Sequence, residues 1–232
     1  MAIYSNLSLA EIARENHRTV QVLEKYNLDF CCRGKKKLGE ACIEKGLDVS
    51  GISSEIEQAA SLPDERAMQF TAMSIPKLIS HIVARHHYYV KMSMPLIMAH
   101  LEKVAAKHGD AYPYMREVRD LFAEVQSEML PHMQKEELVL FPRMVALDRN
   151  EGSQVNLIFG PMSVMENEHE QASKHMYRIR ELTNHYAEPL GACTTFRVCL
   201  HELRDFEQDL HQHVHLENNI LFPKARAIQN IE

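Results

Sequence analysis

Two stretches of this chain, HMQKEELVLFP from His132 to Pro142 and HVHLENNILFP from His213 to Pro223, share His, Glu, Leu, Phe and Pro at the same five places and differ at the other six. In each, histidine and glutamate stand four residues apart, His132 with Glu136 and His213 with Glu217. On a helix that spacing puts the pair one turn apart on a single face, so both side chains can approach one ion. A set of imidazole nitrogens and carboxylate oxygens without thiolate suits iron or manganese, with zinc and copper possible. Carboxylates can also bridge two ions, as helical bundles do when they hold dinuclear iron.

These residues need elements to position them, and the pattern is helical throughout. Eight Gly, no Trp and 13 Met accompany long stretches of Glu, Leu, Ala, Arg and Lys. Four long segments are expected, at about 74–107, 113–147, 161–186 and 194–228, separated by HGDAYP, DRNEGSQ and AEPLGA with their turn residues. Connections of that length predict an all-α fold built as an antiparallel four-helix bundle, whose core can carry a site made from inward-pointing side chains.

A wheel at about 100° per residue asks which polar groups lie on each apolar stripe. In the second segment the stripe is Val118, Leu121, Phe122, Val125, Met129, Met133 and Leu140, and His132 and Glu136 fall within it. In the fourth it is Cys199, Leu200, Leu203, Phe206, Leu210, Val214 and Leu221; His213 and Glu217 lie near its centre, His211 on the flank, and His215 points away. The third stripe carries His169 among Met162, Met165, Ala172 and Met176, with Glu168 to one side. In the first, Ile75, Leu78, Ile79, Ile82, Tyr89, Val90 and Ile97 put His86 centrally and His87 at the edge, and the residues alone leave both open. Thirteen of the 14 histidines lie between His81 and His215. A buried carboxylate without a positive partner costs several kcal/mol, and no Lys or Arg lies on these stripes at the level of Glu136 and Glu217. A metal supplies the missing charge. Leu, Phe and Pro after each pair are expected to wall the core and to kink or restart the helix.

Ahead of the bundle, residues 1–60 read as a small helical domain with a capping box at Ser8 and Glu11, and 61–73, around Pro63, as a linker leading to a bundle over 74–232. No run approaches the roughly 18 to 20 apolar residues that span a bilayer, and the start lacks the basic and apolar regions of a signal peptide. No membrane is expected. The net charge of −6 argues against a nucleic-acid partner, and KKK at Lys35–Lys37 reads as a solvated turn. Five cysteines without CxxC spacing indicate neither a disulfide scaffold nor a zinc ribbon and fit a cytoplasmic location.

The HxxxE pairs together with HIVARHH and VMENEHE resemble a hemerythrin-like bundle. SVMENEHE, HLENNILFP and the N-terminal YNLDFCCRGKKKL resemble more narrowly the repair-of-iron-centres family, which repairs iron-sulfur clusters with a di-iron protein. The resemblance covers nearly the whole chain. It implies two non-haem iron ions, carboxylate- and oxo-bridged, with His87, His132, His169 and His213 as terminal ligands and Glu136 and Glu217 as bridges. It favours His87 over His86, since the family has an aromatic residue where His86 stands. It also implies an ion or proton route at Glu128 and Glu168, and a redox or iron-transfer role for Cys31 and Cys32. The implied function is repair of clusters damaged by nitric oxide or oxidants by supplying labile iron, with damaged iron-sulfur proteins or their assembly machinery as partners and a homodimer as the assembly. Reduction of nitric oxide at the same irons, or reversible binding of nitric oxide or oxygen as a sensor or carrier, are the alternatives.

Overall fold

The structure, a computed structural model, describes residues 3–31, 34–61, 70–149 and 158–229. Among these residues everything is helix, turn or loop apart from one antiparallel bridge between Ser8 and Lys37. The chain divides into two compact units, Met1–Leu78 with Val214–Glu232, and Ile79–His213. The linker expected at 61–73 lies largely outside the described residues.

The first unit begins with α1 (Leu9–Glu15) and α2 (His17–Lys25). The Ser8 hydroxyl accepts the Glu11 N–H at 3.2 Å while the Glu11 carboxylate accepts the Ser8 N–H at 2.8 Å, so two of the helix's orphan donors are satisfied by the expected box. Asn16 ends α1 in extended backbone and caps α2, its side-chain oxygen accepting the Arg18 N–H. α3 (Leu38–Lys45) stops at Gly46, whose φ of +65° is left-handed, and α4 (Val49–Ala60) starts on the Asp48 carboxylate. Leu9, Ile12, Leu23, Leu38, Ile52 and Ile56 form its fully buried core. The loop between α2 and α3 carries Cys31, and at Gly34 a Cβ would stand 2.5 Å from the Phe30 carbonyl oxygen and 2.8 Å from the Ala10 Cβ. Only glycine fits there. The C-terminal segment belongs to this unit: Asn218 Nδ2 donates to the Cys31 carbonyl at 3.2 Å and Asn219 Nδ2 to the Phe30 carbonyl at 3.0 Å.

The longer helices follow as α5 (Ile75–His81), α6 (Tyr88–His108), α7 (Tyr114–Lys135), α8 (Phe141–Asp148), α9 (Phe159–Leu182), α10 (Thr194–His215) and α11 (Phe222–Gln229). They are not seven separate rods. One π-turn joins α5 to α6 (Ile82–His87), a second joins α7 to α8 (Glu136–Leu140) and a third joins α10 to α11 (Leu216–Leu221), so the chain makes the four expected segments. Across the second unit the pairs His87/His213, His100/Glu202 and His108/Cys193 run antiparallel, as do Glu117/Arg178 and His132/Glu168. The core between them is rich in methionine and phenylalanine, with Phe122 and Phe206 edge to face at 5.2 Å. Unbranched methionine fills the uneven gaps that histidine rings leave in such a core.

Candidate metal centre

Each π-turn is defined by a bond five residues long: the Tyr88 N–H reaches the Val83 carbonyl, the Phe141 N–H the Glu136 carbonyl and the Phe222 N–H the Glu217 carbonyl. A π-turn holds one residue more than an α-turn and so shifts the facing of everything beyond it. The prolines explain the two that follow the HxxxE pairs. Pro142 and Pro223 have no N–H, so the carbonyl four residues back loses its α-helical donor, and the wider loop closes through the preceding phenylalanine instead. The shared Leu-Phe-Pro is therefore the sequence trace of the turn that begins at, or one residue before, the glutamate.

These turns bring six fully buried side chains together. One ligand atom from each of His87, Glu136, His213 and Glu217 lies within 4.8 Å of every other, and the same holds for His132, Glu136, His169 and Glu217. Glu136 and Glu217 belong to both groups. Glu136 Oε2 is 3.4 Å from His87 Nε2 and 3.3 Å from His132 Nε2, so one carboxylate oxygen faces an imidazole of each group. Within the groups, Nε2 of His87 and His213 are 3.1 Å apart and Nε2 of His132 and His169 are 3.0 Å apart. Two nitrogens bound at right angles to one first-row ion, each about 2.1 Å from it, stand about 3 Å apart. The donor set fits two divalent ions: neutral imidazoles supply nitrogen, and two carboxylates supply charge that both ions share.

Carboxylates behind the imidazoles fix which nitrogen points inward. His87 Nδ1 donates to Glu137 Oε1 at 2.7 Å, and Lys91 Nζ donates to the same oxygen at 2.7 Å. His132 Nδ1 donates to Glu168 Oε2 at 2.9 Å, and Lys135 donates to the other oxygen of Glu168. With Nδ1 committed to a carboxylate, Nε2 presents its lone pair to the centre. Burial works to raise the Glu137 carboxyl, but the hydrogen bonds from Lys91 and His87 outweigh it and hold the group below its ordinary range. For Glu168 the His132 hydrogen bond is the largest influence; with Lys135 it overcomes partial burial and takes the carboxyl down to about 2. Phe141 lies against the His87 ring at 5.7 Å, the apolar wall expected from the repeat. An open cleft of about 440 Å³, lined by Ile79, Val83, Phe141, Pro142 and Val145, reaches Glu137.

His86 lies elsewhere. Its Nδ1 faces Asp209 Oδ2 at 3.1 Å and its ring stacks on His213 at 5.8 Å. His215 is buried as well, yet its Nδ1 accepts from Asn219 Nδ2 and Phe30 meets its ring edge-on. Glu128 is not among the six: its Oε2 is 3.8 Å from His175 Nδ1, and Glu124 lies 3.3 Å from the other nitrogen. Cys31 is buried in the first unit with its thiol 3.3 Å from Asp29 Oδ1, and Cys32 lies outside the described residues. Sequence reasoning missed Glu137, Lys91, Lys135 and Asn219. The signal for the first three was present as a charge within four positions of each histidine or glutamate, but a straight-helix wheel turned it outward.

Buried imidazoles grouped around two shared carboxylates in an antiparallel helical bundle define a hemerythrin-like cation-binding protein. Consistently, the hemerythrin HHE cation binding domain matches residues 78–225, and a domain of unknown function known as ScdA_N matches residues 5–60. The iron-sulfur cluster repair protein YtfE of Shigella boydii is 34% identical over 97% of this chain and 98% of its own length. Those of Enterobacter sp. (strain 638) and Citrobacter koseri are 33% and 34% identical over 94% of this chain and 96% of theirs. The chain belongs to the iron-sulfur cluster repair protein family.

Proposed function

We propose that the protein carries two iron ions, one between His87 and His213 and the other between His132 and His169, bridged by Glu136 and Glu217, and that it supplies this iron to clusters damaged by nitric oxide or oxidants. The observation that carries the reading is that both four-residue groups contain the same two carboxylates. Relatives named as iron-sulfur cluster repair proteins over nearly the whole chain supply the direction of the function. When bound, iron would supply a redox-active pair with positions open to exchange, since six side chains cannot saturate two ions. The chain's own residues bind and orient. Glu137 and Glu168 hold the Nδ1 protons of His87 and His132, Lys91 and Lys135 hold those carboxylates ionised, and Phe141 keeps water from the His87 face. Residues 1–60 are the module that engages the recipient, with Cys31 and its neighbour Cys32 as the thiols that receive or pass iron.

The test is metal analysis with an optical spectrum, followed by transfer. Protein purified without oxygen should hold about two irons per chain and show the absorption of a bridged ferric pair once oxidised. Glu136→Ala and Glu217→Ala should each lose both ions, because each removes a ligand from both groups. The loaded protein should restore activity to an iron-sulfur enzyme inactivated with nitric oxide, in proportion to the iron it gives up. A single zinc per chain, or recovery equal to that with free ferrous ion, would overturn the proposal. Sustained nitric oxide turnover with a supplied electron donor and no iron transfer would move the function to a reductase.

A further inference from the structure

Far along the bundle from the histidine–glutamate groups, His108 Nε2 stands 3.1 Å from Cys193 Sγ. The two residues come from opposite kinds of helix end. His108 is the last residue of the 21-residue α6, and Cys193 accepts the Arg197 N–H through its carbonyl, which makes it the cap of the 22-residue α10. The contact puts an imidazole nitrogen within proton-transfer reach of the sulfur, the arrangement in which an adjacent base activates a thiol. The ring is held in place: Phe196 packs on His108 at 5.6 Å, and Tyr112 packs on Phe196 at 5.3 Å. The sulfur is half-buried, and the loop leading to it is open. Leu190 is 99% exposed there, with only its carbonyl tied back, to the Tyr112 hydroxyl at 2.9 Å.

The other described cysteines are less accessible. Cys31, Cys42 and Cys199 are buried, and burial pushes the Cys199 thiol up to about 12.

We propose that Cys193 and His108 form a nucleophilic thiol–imidazole pair, a site of reversible S-thiolation by low-molecular-weight disulfides such as glutathione disulfide. A half-buried cysteine next to an exposed loop is within reach of a disulfide of tripeptide size. In the step, the Cys193 thiol gives its proton to His108 Nε2 and the sulfur attacks one sulfur of the disulfide. The Sγ–S bond forms as the S–S bond breaks, Cys193 is oxidised to the mixed disulfide, and the departing thiolate, the reduced product, takes the proton from His108. A thiol reductant reverses it. Cys193 is 20 residues from His213 along α10, about 30 Å at helical rise, so this site is separate from the proposed iron centre.

The iron-loaded protein is incubated with glutathione disulfide and the adduct located by peptide mass spectrometry. The expected result is one mixed disulfide at Cys193, none at Cys199, and a rate at least about tenfold lower in His108→Gln. Alkylation of the wild-type chain with iodoacetamide gives a reading that does not depend on the variant. In the folded protein Cys193 should be alkylated ahead of the buried Cys199. Equal rates in wild type and a folded His108→Gln, or alkylation of Cys199 ahead of Cys193, would overturn the assignment.

Discussion

His86 and His87 are adjacent, both buried, and separated in what they meet by a single feature of the backbone. A wheel drawn at a constant 100° per residue brings His86 to the centre of the first stripe. In the π-turn Ile82–His87 one extra residue is taken up, so the next position faces inward, and His87 joins His213 while His86 turns to Asp209. The positions of His132, Glu136, His169 and His213 were legible because a buried imidazole or carboxylate is conspicuous on a stripe of methionine and leucine. Glu137 was not, since the residue after a buried glutamate reads as solvated surface on any uniform helix. Its hydrogen bond to His87 yields a prediction at the level of one atom. Glu137→Gln and Glu168→Gln keep the size of the side chain but replace the anion that fixes the imidazole, and each should weaken iron binding by about 10- to 100-fold against a competing chelator. Stoichiometry at saturating iron should stay at that of the wild type, which separates these variants from Glu136→Ala. An unchanged affinity would make the two carboxylates surface residues that happen to meet a histidine.

At the scale of the element, the four long segments and their turns could be read from composition and period, whereas the three π-turns could not. Nothing in a hydrophobic pattern distinguishes a wide turn from a slightly misplaced stripe, and only the recurrence of Leu-Phe-Pro after both HxxxE pairs marked the place. The turn makes a sharp prediction. Leu138 is 76% exposed within the π-turn Glu136–Leu140, so removing it deletes no core contact but closes the turn to α-helical width. Residues on one side of the deletion then rotate by about 100° relative to the other. The variant should keep the helix content of the wild type by far-ultraviolet circular dichroism and lose its bound iron. Retention of iron would show that the wide turn does not set the facing of Glu136. Leu138→Ala, which keeps the residue count, should bind iron normally.

At the scale of the molecule, composition set residues 1–60 apart from 74–232, whereas the compact units are Met1–Leu78 with Val214–Glu232 and Ile79–His213, so the C-terminal segment shares a unit with the N-terminal helices. The bonds responsible are made by side-chain amides. Asn219 Nδ2 donates to the Phe30 carbonyl and to His215 Nδ1, and Asn218 Nδ2 donates to the Cys31 carbonyl. An asparagine in the middle of a predicted helix gives no hint of so distant a partner. Asn219→Leu leaves a buried carbonyl and a buried ring nitrogen without their donor and should cost about 1–3 kcal/mol, read from denaturant unfolding of the whole chain. Amide exchange should rise first around Phe30 and Cys31. A variant as stable as the wild type, with exchange there unchanged, would show these amide bonds to be incidental.

The way the six residues are divided between the two helical hairpins has a consequence of its own. The hairpin of α5 to α8 contributes His87, His132 and Glu136, and that of α9 to α11 contributes His169, His213 and Glu217, yet each four-residue group draws on both. Neither hairpin alone contains a complete group. An ion held in either group would be a clasp across the seam between the hairpins, and giving it up would loosen the seam. If the protein parts with its metal as proposed, cargo and scaffold would be one mechanical system, in which each ion delivered would unfasten part of the structure that held it.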